Sequence, residues 1–176
     1  MDHERPKRRE KRRPEIQSHD ALKALAFAYV ARFATSRAKL IRYLARKLRE
    51  ADADHLRGEM EIVADRMIEL GLVDDQGYAE MRTASLVRRG YGPRRVTADL
   101  RASGIAEADA AELARSMDEL EIATAFAKRK RLGPFHSGEA DRKHLDRALA
   151  AMMRAGHSFD VARKVLFDTM DDSNGD

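Results

Sequence analysis

The chain has 176 residues, 43% hydrophobic and 36% charged, with a formal net charge of +4. That charge content is well above the usual quarter for a globular domain and suits thin helical layers with a large surface. The lack of cysteine excludes disulfides, thiolate metal sites and a thiol nucleophile, and no apolar run approaches the roughly 20 residues needed to span a bilayer.

The chain opens on a basic arm. Residues 1–13 hold seven basic and three acidic side chains. No apolar segment follows directly, so this is not a secretory signal. A cytoplasmic location is expected. An arm this polar cannot bury apolar surface and is expected to be disordered over residues 1–19. It either finds phosphates or an acidic surface by long-range attraction, or only aids solubility. Residues 169–176 form a matching acidic tail.

Between these ends, helical periodicity dominates. Leu22, Leu25, Ala26, Tyr29 and Phe33 recur at three- and four-residue steps, which puts them on one helix face. Leu40, Ile41, Leu44 and Leu48 mark a second helix, and Met60, Val63, Met67 and Leu70 a third. Gly71 ends that helix, and Asp74-Asp75 opens the next, with carboxylates placed to accept free N–H groups. Tyr78, one turn on, is expected to pack inward with its hydroxyl at the surface. Gly90 and Gly92 break the chain again, and Pro93 sits where a first helical turn tolerates it. Gly104 stops that helix. Ser116 and Glu119 have capping-box spacing, which predicts another start there. Residues 133–138 form a loop. A helix through Leu145, Leu149 and Met152 or Met153 is closed by Gly156, and a last one carries Val161, Ala162, Val165 and Leu166.

This gives an all-α chain of about nine helices in tandem groups of three: residues 20–73, 74–116 and 117–168. An internal echo supports the grouping. When Gly104 is aligned with Gly156, Val96 matches Ala148, Leu100 matches Met152, Ala110 matches Ala162 and Leu113 matches Val165. The helix at 36–48 is a weaker match, because its exit lacks the glycine. A period near 50 residues indicates stacked units, hence an elongated and curved molecule.

Charge alternates along the same chain. Residues 32–49 hold seven basic groups and no acid, and residues 50–80 hold ten acids and two basic groups. Residues 82–101 are basic, 102–121 acidic and 128–147 basic again. Either the basic helices align into a positive stripe, or adjacent helices pair off their charges. Arg94 and Arg95 project from the first turn of a helix, where the dipole favours anions. They point to a partner unless acids such as Glu107 or Asp109 answer them. Lys128-Arg129-Lys130-Arg131 is too dense to be neutralised locally, the next acid being Glu139.

No catalytic constellation is present. His136, His144 and His157 lack His-Glu-x-x-His spacing, and Gly90-x-Gly92 has neither a preceding strand nor a third glycine. No metal, cofactor or catalytic residue is therefore expected. Residues 93–117 read as a helix-turn-helix, so a DNA-binding regulator is the alternative. Its second helix would be the reader, yet carries Glu107, Asp109 and Glu112 against Arg115, which disfavours entry into a groove.

Two stretches resemble the RecX family of RecA modulators. One is Leu70-Gly71-Leu72-Val73-Asp74-Asp75-Gln76-Gly77-Tyr78-Ala79. The other runs from Gly92-Pro93-Arg94-Arg95-Val96 through Leu100-Arg101-Ala102-Ser103-Gly104-Ile105. Arg32, Ser36, Leu40, Leu44 and Lys47 resemble the family's first repeat, and Lys130-Arg131-Leu132-Gly133-Pro134-Phe135 its link into the third. The last repeat departs from the pattern, reading Arg154-Ala155-Gly156-His157-Ser158-Phe159 where the family more usually has Arg-Arg-Gly-Phe or Tyr. The resemblance implies a non-enzymatic protein that binds the groove of the RecA–DNA filament and inhibits the recombinase; the stacked repeats are expected to form a monomer. RecA is then the partner, with single- or double-stranded DNA as a further one and no membrane. Arg88, Arg89, Arg94, Arg95, Arg101, Lys128, Arg129, Lys130 and Arg131 are the expected contacts.

A compact chain of this length has a gyration radius of about 16 Å. Small-angle scattering should give a clearly larger value; a compact profile would contradict stacked repeats.

Overall fold

A computed structural model describes residues 16–138 and 141–167. The acidic tail at 169–176 and all of the basic arm up to residue 15 lie outside these. From residue 16 the expectation of an arm fails: Ile16 is buried in a core and Ser18 caps the first helix. Among the described residues there are nine α-helices and no strand: α1 (His19–Val30), α2 (Arg37–Glu50), α3 (Glu59–Glu69), α4 (Asp75–Arg88), α5 (Pro93–Ala102), α6 (Glu107–Arg115), α7 (Glu119–Lys130), α8 (Arg142–Arg154) and α9 (Phe159–Phe167). No helix among them is long and apolar enough to cross a membrane.

The chain divides into two compact units, Met1–Val73 and Asp74–Asp176. In the first, α1, α2 and α3 enclose Leu22, Ala26, Leu40, Leu44, Leu48, Val63 and Met67, all essentially inaccessible to solvent. Each buried leucine contributes roughly 1.5–3 kcal/mol. Ser36 opens α2, its hydroxyl accepting the Lys39 amide at 3.3 Å.

The second unit holds two three-helix repeats. In α4–α6, Tyr78, Leu86, Val96, Leu100, Ile105 and Ala110 form one core. In α7–α9, Ala123, Phe126, Ala127, Ala148, Met152, Ala162, Val165 and Leu166 form another. Tyr91 packs against both. Three of the four pairs in the internal echo take matching places: Val96 and Ala148, Leu100 and Met152, and Ala110 and Ala162 are all buried, whereas Leu113 is half-buried and its match Val165 buried.

The echo extends further than glycine alone reveals. The chain turns left-handed at Asp52 (φ 55°), Gly104 (φ 81°) and Gly156 (φ 96°), evenly spaced at 52, 104 and 156. In each case the next amide reaches back to close the helix: Ala53 to the Leu48 carbonyl (2.9 Å), Ile105 to Leu100 (3.1 Å) and His157 to Met152 (3.2 Å). Aspartate tolerates this conformation better than most residues, which lets it stand in for glycine after α2.

Three local expectations are corrected. Ser116 ends α6 rather than opening α7; the N-cap is Asp118, whose carboxylate accepts the Glu121 amide at 2.9 Å. Asp74 is the N-cap of α4 but makes no side-chain hydrogen bond to its first turn. Its carboxylate lies over Gly77 instead, where a Cβ would fall 2.4 Å from an oxygen. The Tyr78 hydroxyl is not at the surface: it is buried and hydrogen-bonded to Ser103 Oγ at 3.3 Å, tying α4 to the end of α5.

Candidate functional site

The short turn from α4 to α5, residues 88–93, brings four of the nine expected contact residues together. Gly90 is left-handed (φ 74°), and its amide and that of Tyr91 close α4 on Val87 and Leu86. Pro93 then starts α5 with Gly92 as its N-cap. The turn carries Arg88 and Arg89 on its entry and Arg94 and Arg95 on its exit, all exposed. Tyr91 stands between them: the guanidinium carbons of Arg89 and Arg95 each lie 4.9 Å from its ring centre. Arg89 also donates to the Tyr91 hydroxyl at 3.2 Å. Stacking on an aromatic face holds a guanidinium in place without neutralising it.

The third repeat holds this turn by its backbone. The Gly92 amide donates to the Ala155 carbonyl at 2.9 Å, and the Arg94 amide to the Gly156 carbonyl at 3.1 Å. The approach is too close for any side chain. A Cβ on Gly92 would lie 2.5 Å from the Gly156 carbonyl oxygen, and one on Gly156 would lie 2.5 Å from the Arg95 amide nitrogen. Glycine is therefore required twice here, and at Gly156 its left-handed φ requires it independently.

Two side chains complete the joint. Arg129, from α7, donates to the carbonyls of Arg88 (3.3 Å) and Arg89. These carbonyls end α4 and have no partner within the helix, so a cation there serves as its C-cap. His157 is fully buried, its ring 5.7 Å from that of Phe126, and its Nε2–H donates to the Gly90 carbonyl at 3.1 Å. The opposite nitrogen, Nδ1, is buried without a partner. Burial pushes the His157 pKa below its ordinary value; the Gly90 hydrogen bond and the Glu119 carboxylate oppose this more weakly. Glu119 is held nearby by the Ser158 amide, which donates to it.

The nine sequence-selected residues thus have different surroundings. Among the described residues, Arg88, Arg89, Arg94, Arg95, Lys128, Lys130 and Arg131 meet no carboxylate. Lys128 lies 5.6 Å from the Phe135 ring centre. Arg131 takes a left-handed conformation (φ 53°) just after α7. Arg129 is engaged by backbone carbonyls, so that run is partly answered within the chain by a contact far away in sequence. Arg101 is paired with Glu107 across the α5–α6 turn, which raises its pKa. Arg82, not among the nine, makes a two-pronged pair with Asp99 (2.6 and 2.7 Å) that binds α4 to α5 and raises its own pKa. Among the described residues, no group of three or more His, Asp or Glu is placed to hold a metal ion.

Comparison with known proteins gives one consistent answer. Residues 74–113, which contain the whole turn, match the family described as RecX, second three-helix domain. A regulatory protein RecX of Myxococcus xanthus is 33% identical over 174 residues, 93% of each chain. One of Halorhodospira halophila is 31% identical over 145 residues, 82% of this chain and 85% of that one. Among solved structures, RecX from Lactobacillus salivarius superposes with a TM-score of 0.66 at 19% identity, covering 85% of this chain and 95% of that one. A further crystal structure of regulatory protein RecX gives 0.68 at 18% identity, covering 85% and 73%.

The buried histidine gives the joint a pH dependence. The unfolded chain takes up a proton near pH 6.5 that the buried ring resists, so stability is complete above that pH and falls as pH drops below it. The fall is at most about 1.4 kcal/mol per pH unit from this group, and it ends once pH passes the depressed folded pKa. Urea unfolding of the native chain and of His157→Phe between pH 7.5 and 5, at roughly half-unit steps, should show a stability difference that shrinks as pH falls. A constant difference would mean that His157 does not titrate on unfolding.

Proposed function

This chain belongs to the RecX family of regulatory proteins, and we propose that it acts in the cytoplasm by binding the RecA–DNA filament and inhibiting its ATPase, strand-exchange and coprotease activities. Recombinational repair and the SOS response would be modulated in consequence. The mode is binding without a chemical step. The observation that carries this reading is the cationic turn itself. Arg88, Arg89, Arg94 and Arg95 are exposed, meet no carboxylate among the described residues, and sit on a backbone fixed by the third repeat.

Unpaired cations on a rigid frame are suited to an acidic partner, because little ordering cost remains to be met on binding. Lys128, Lys130 and Arg131 extend the positive charge along the end of α7. Arg129 supports the turn from behind. Arg101 contributes only by giving up its pair with Glu107, so it ranks below the others as a contact. The groove-reading alternative is weakened by α6, whose Glu107, Asp109 and Glu112 are all exposed and would face phosphates.

A RecA ATPase assay on single-stranded DNA tests this. The native chain should inhibit at less than one copy per RecA subunit, as expected of a module that blocks filament extension. Replacing Arg94, Arg95 and Lys130 together with alanine should change unfolding stability by no more than about 0.5 kcal/mol per substitution. The same triple variant should require on the order of tenfold more protein for equal inhibition. If the native chain in excess leaves the ATPase unchanged, the proposed function fails. If the folded variant inhibits like the native chain, this surface fails.

A further inference from the structure

We propose that the first unit carries a separate platform for single-stranded nucleic acid, formed by the rings of Tyr29, Phe33 and Tyr43 with Arg32, Arg42 and Arg46 around them. The rings come from the last turn of α1, the link after it and the middle of α2. Tyr29 and Tyr43 are stacked, with centres 4.0 Å apart and planes within 18°. Phe33 leans on Tyr29 at 5.2 Å. The two tyrosines are half-buried at the rim of the first core, but Phe33 is 56% exposed.

That exposure sets Phe33 apart from the sequence pattern. Phe33 keeps the four-residue step from Tyr29, its amide donating to the Tyr29 carbonyl at 3.0 Å, but it lies just beyond the end of α1 at Val30. The ring lies at the outer edge of that face, in water beside the two tyrosines.

Three arginines surround the rings. Arg32 and Arg42 are exposed and meet no carboxylate among the described residues. Arg46 lies 5.6 Å from the Tyr43 ring centre, and its nearest carboxylate, Glu50, is a loose 3.7 Å away. No acid occurs anywhere in residues 32–49. Two shallow grooves share Tyr29, Tyr43 and Arg46 as a common wall; one continues to Arg32 and Phe33, the other to Arg42.

Flat rings flanked by exposed cations, two of which meet no carboxylate among the described residues, suit bases that stack while their phosphates are met by guanidinium groups. A duplex hides its base faces, so the ligand is single-stranded. An acidic protein surface would answer the cations but leave the open face of Phe33 without a planar partner. The platform uses none of the residues of the cationic turn in the second unit, so it stands or falls independently of the filament reading.

Fluorescence anisotropy of the full chain with labelled oligothymidylate, and with an abasic strand of equal length, tests the platform. The native chain should favour oligothymidylate. Phe33→Ala should weaken that binding roughly five- to hundredfold and leave abasic binding unchanged. Phe33→Trp should restore it, and its emission, the only tryptophan signal in a chain that otherwise has none, should be quenched by oligothymidylate but not by the abasic strand. An Arg94→Ala, Arg95→Ala variant should keep the native preference between the strands. Equal native affinity for the two strands would overturn the proposal, as would unaltered oligothymidylate binding by Phe33→Ala. Loss of RecA inhibition by Phe33→Ala with unaltered oligothymidylate binding would make the ring a protein contact instead. Oligouridylate in a parallel titration separates RNA from DNA as the source of the strand.

Discussion

The backbone of Gly92 lies directly against that of Gly156, and the arrangement of the second unit depends on that approach. Two hydrogen bonds cross it, from the Gly92 amide to Ala155 and from the Arg94 amide to Gly156. Neither residue has room for a methyl group. Turn backbones ordinarily satisfy their polar groups with water and remain mobile. Here they are satisfied by the neighbouring repeat, so the four arginines at 88–95 project from a fixed frame.

The same joint explains several residues that otherwise look unrelated. Arg129 meets the open end of α4, His157 meets the Gly90 carbonyl, and Tyr91 bridges the two cores while bearing two guanidinium groups on its ring. A cationic surface is costly to assemble, because like charges repel. Stacking on Tyr91 and a close-packed backbone hold these cations together without cancelling them. Elsewhere the chain does cancel charge: Arg82 with Asp99 and Arg101 with Glu107 lock adjacent helices of the second repeat. Pairing inside a repeat and unpaired charge at the joint together separate structural arginines from those available to a partner.

Much of this was legible in the sequence wherever the cause was local. The three- and four-step spacing of Leu40, Leu44 and Leu48, and the match of Leu100 with Met152, placed the helices and their buried faces. What escaped was set by contacts distant along the chain. Nothing local to Gly92 indicates that it faces Gly156, and nothing local to Arg129 indicates that it caps a helix some forty residues earlier. The buried hydroxyl of Tyr78 depends on Ser103, and the cap of α7 shifted from Ser116 to Asp118 because both residues suit that role. Asp52 was missed as the third left-handed turn because aspartate, unlike glycine, does not advertise that conformation. Phe33 keeps the helical step from Tyr29 and touches its ring, yet lies three residues beyond the end of α1 and is exposed.

The central claim is that the third repeat holds the cationic turn in place through its backbone. Amide hydrogen exchange of Gly92 and Arg94, read by NMR on the full chain, tests it most directly. Both amides should exchange only as slowly as the core amides of α8, and in a folded Gly156→Ala chain both should exchange faster while Leu100 keeps its protection. Exchange of Gly92 and Arg94 in the native chain at the rate of an open turn would contradict the account.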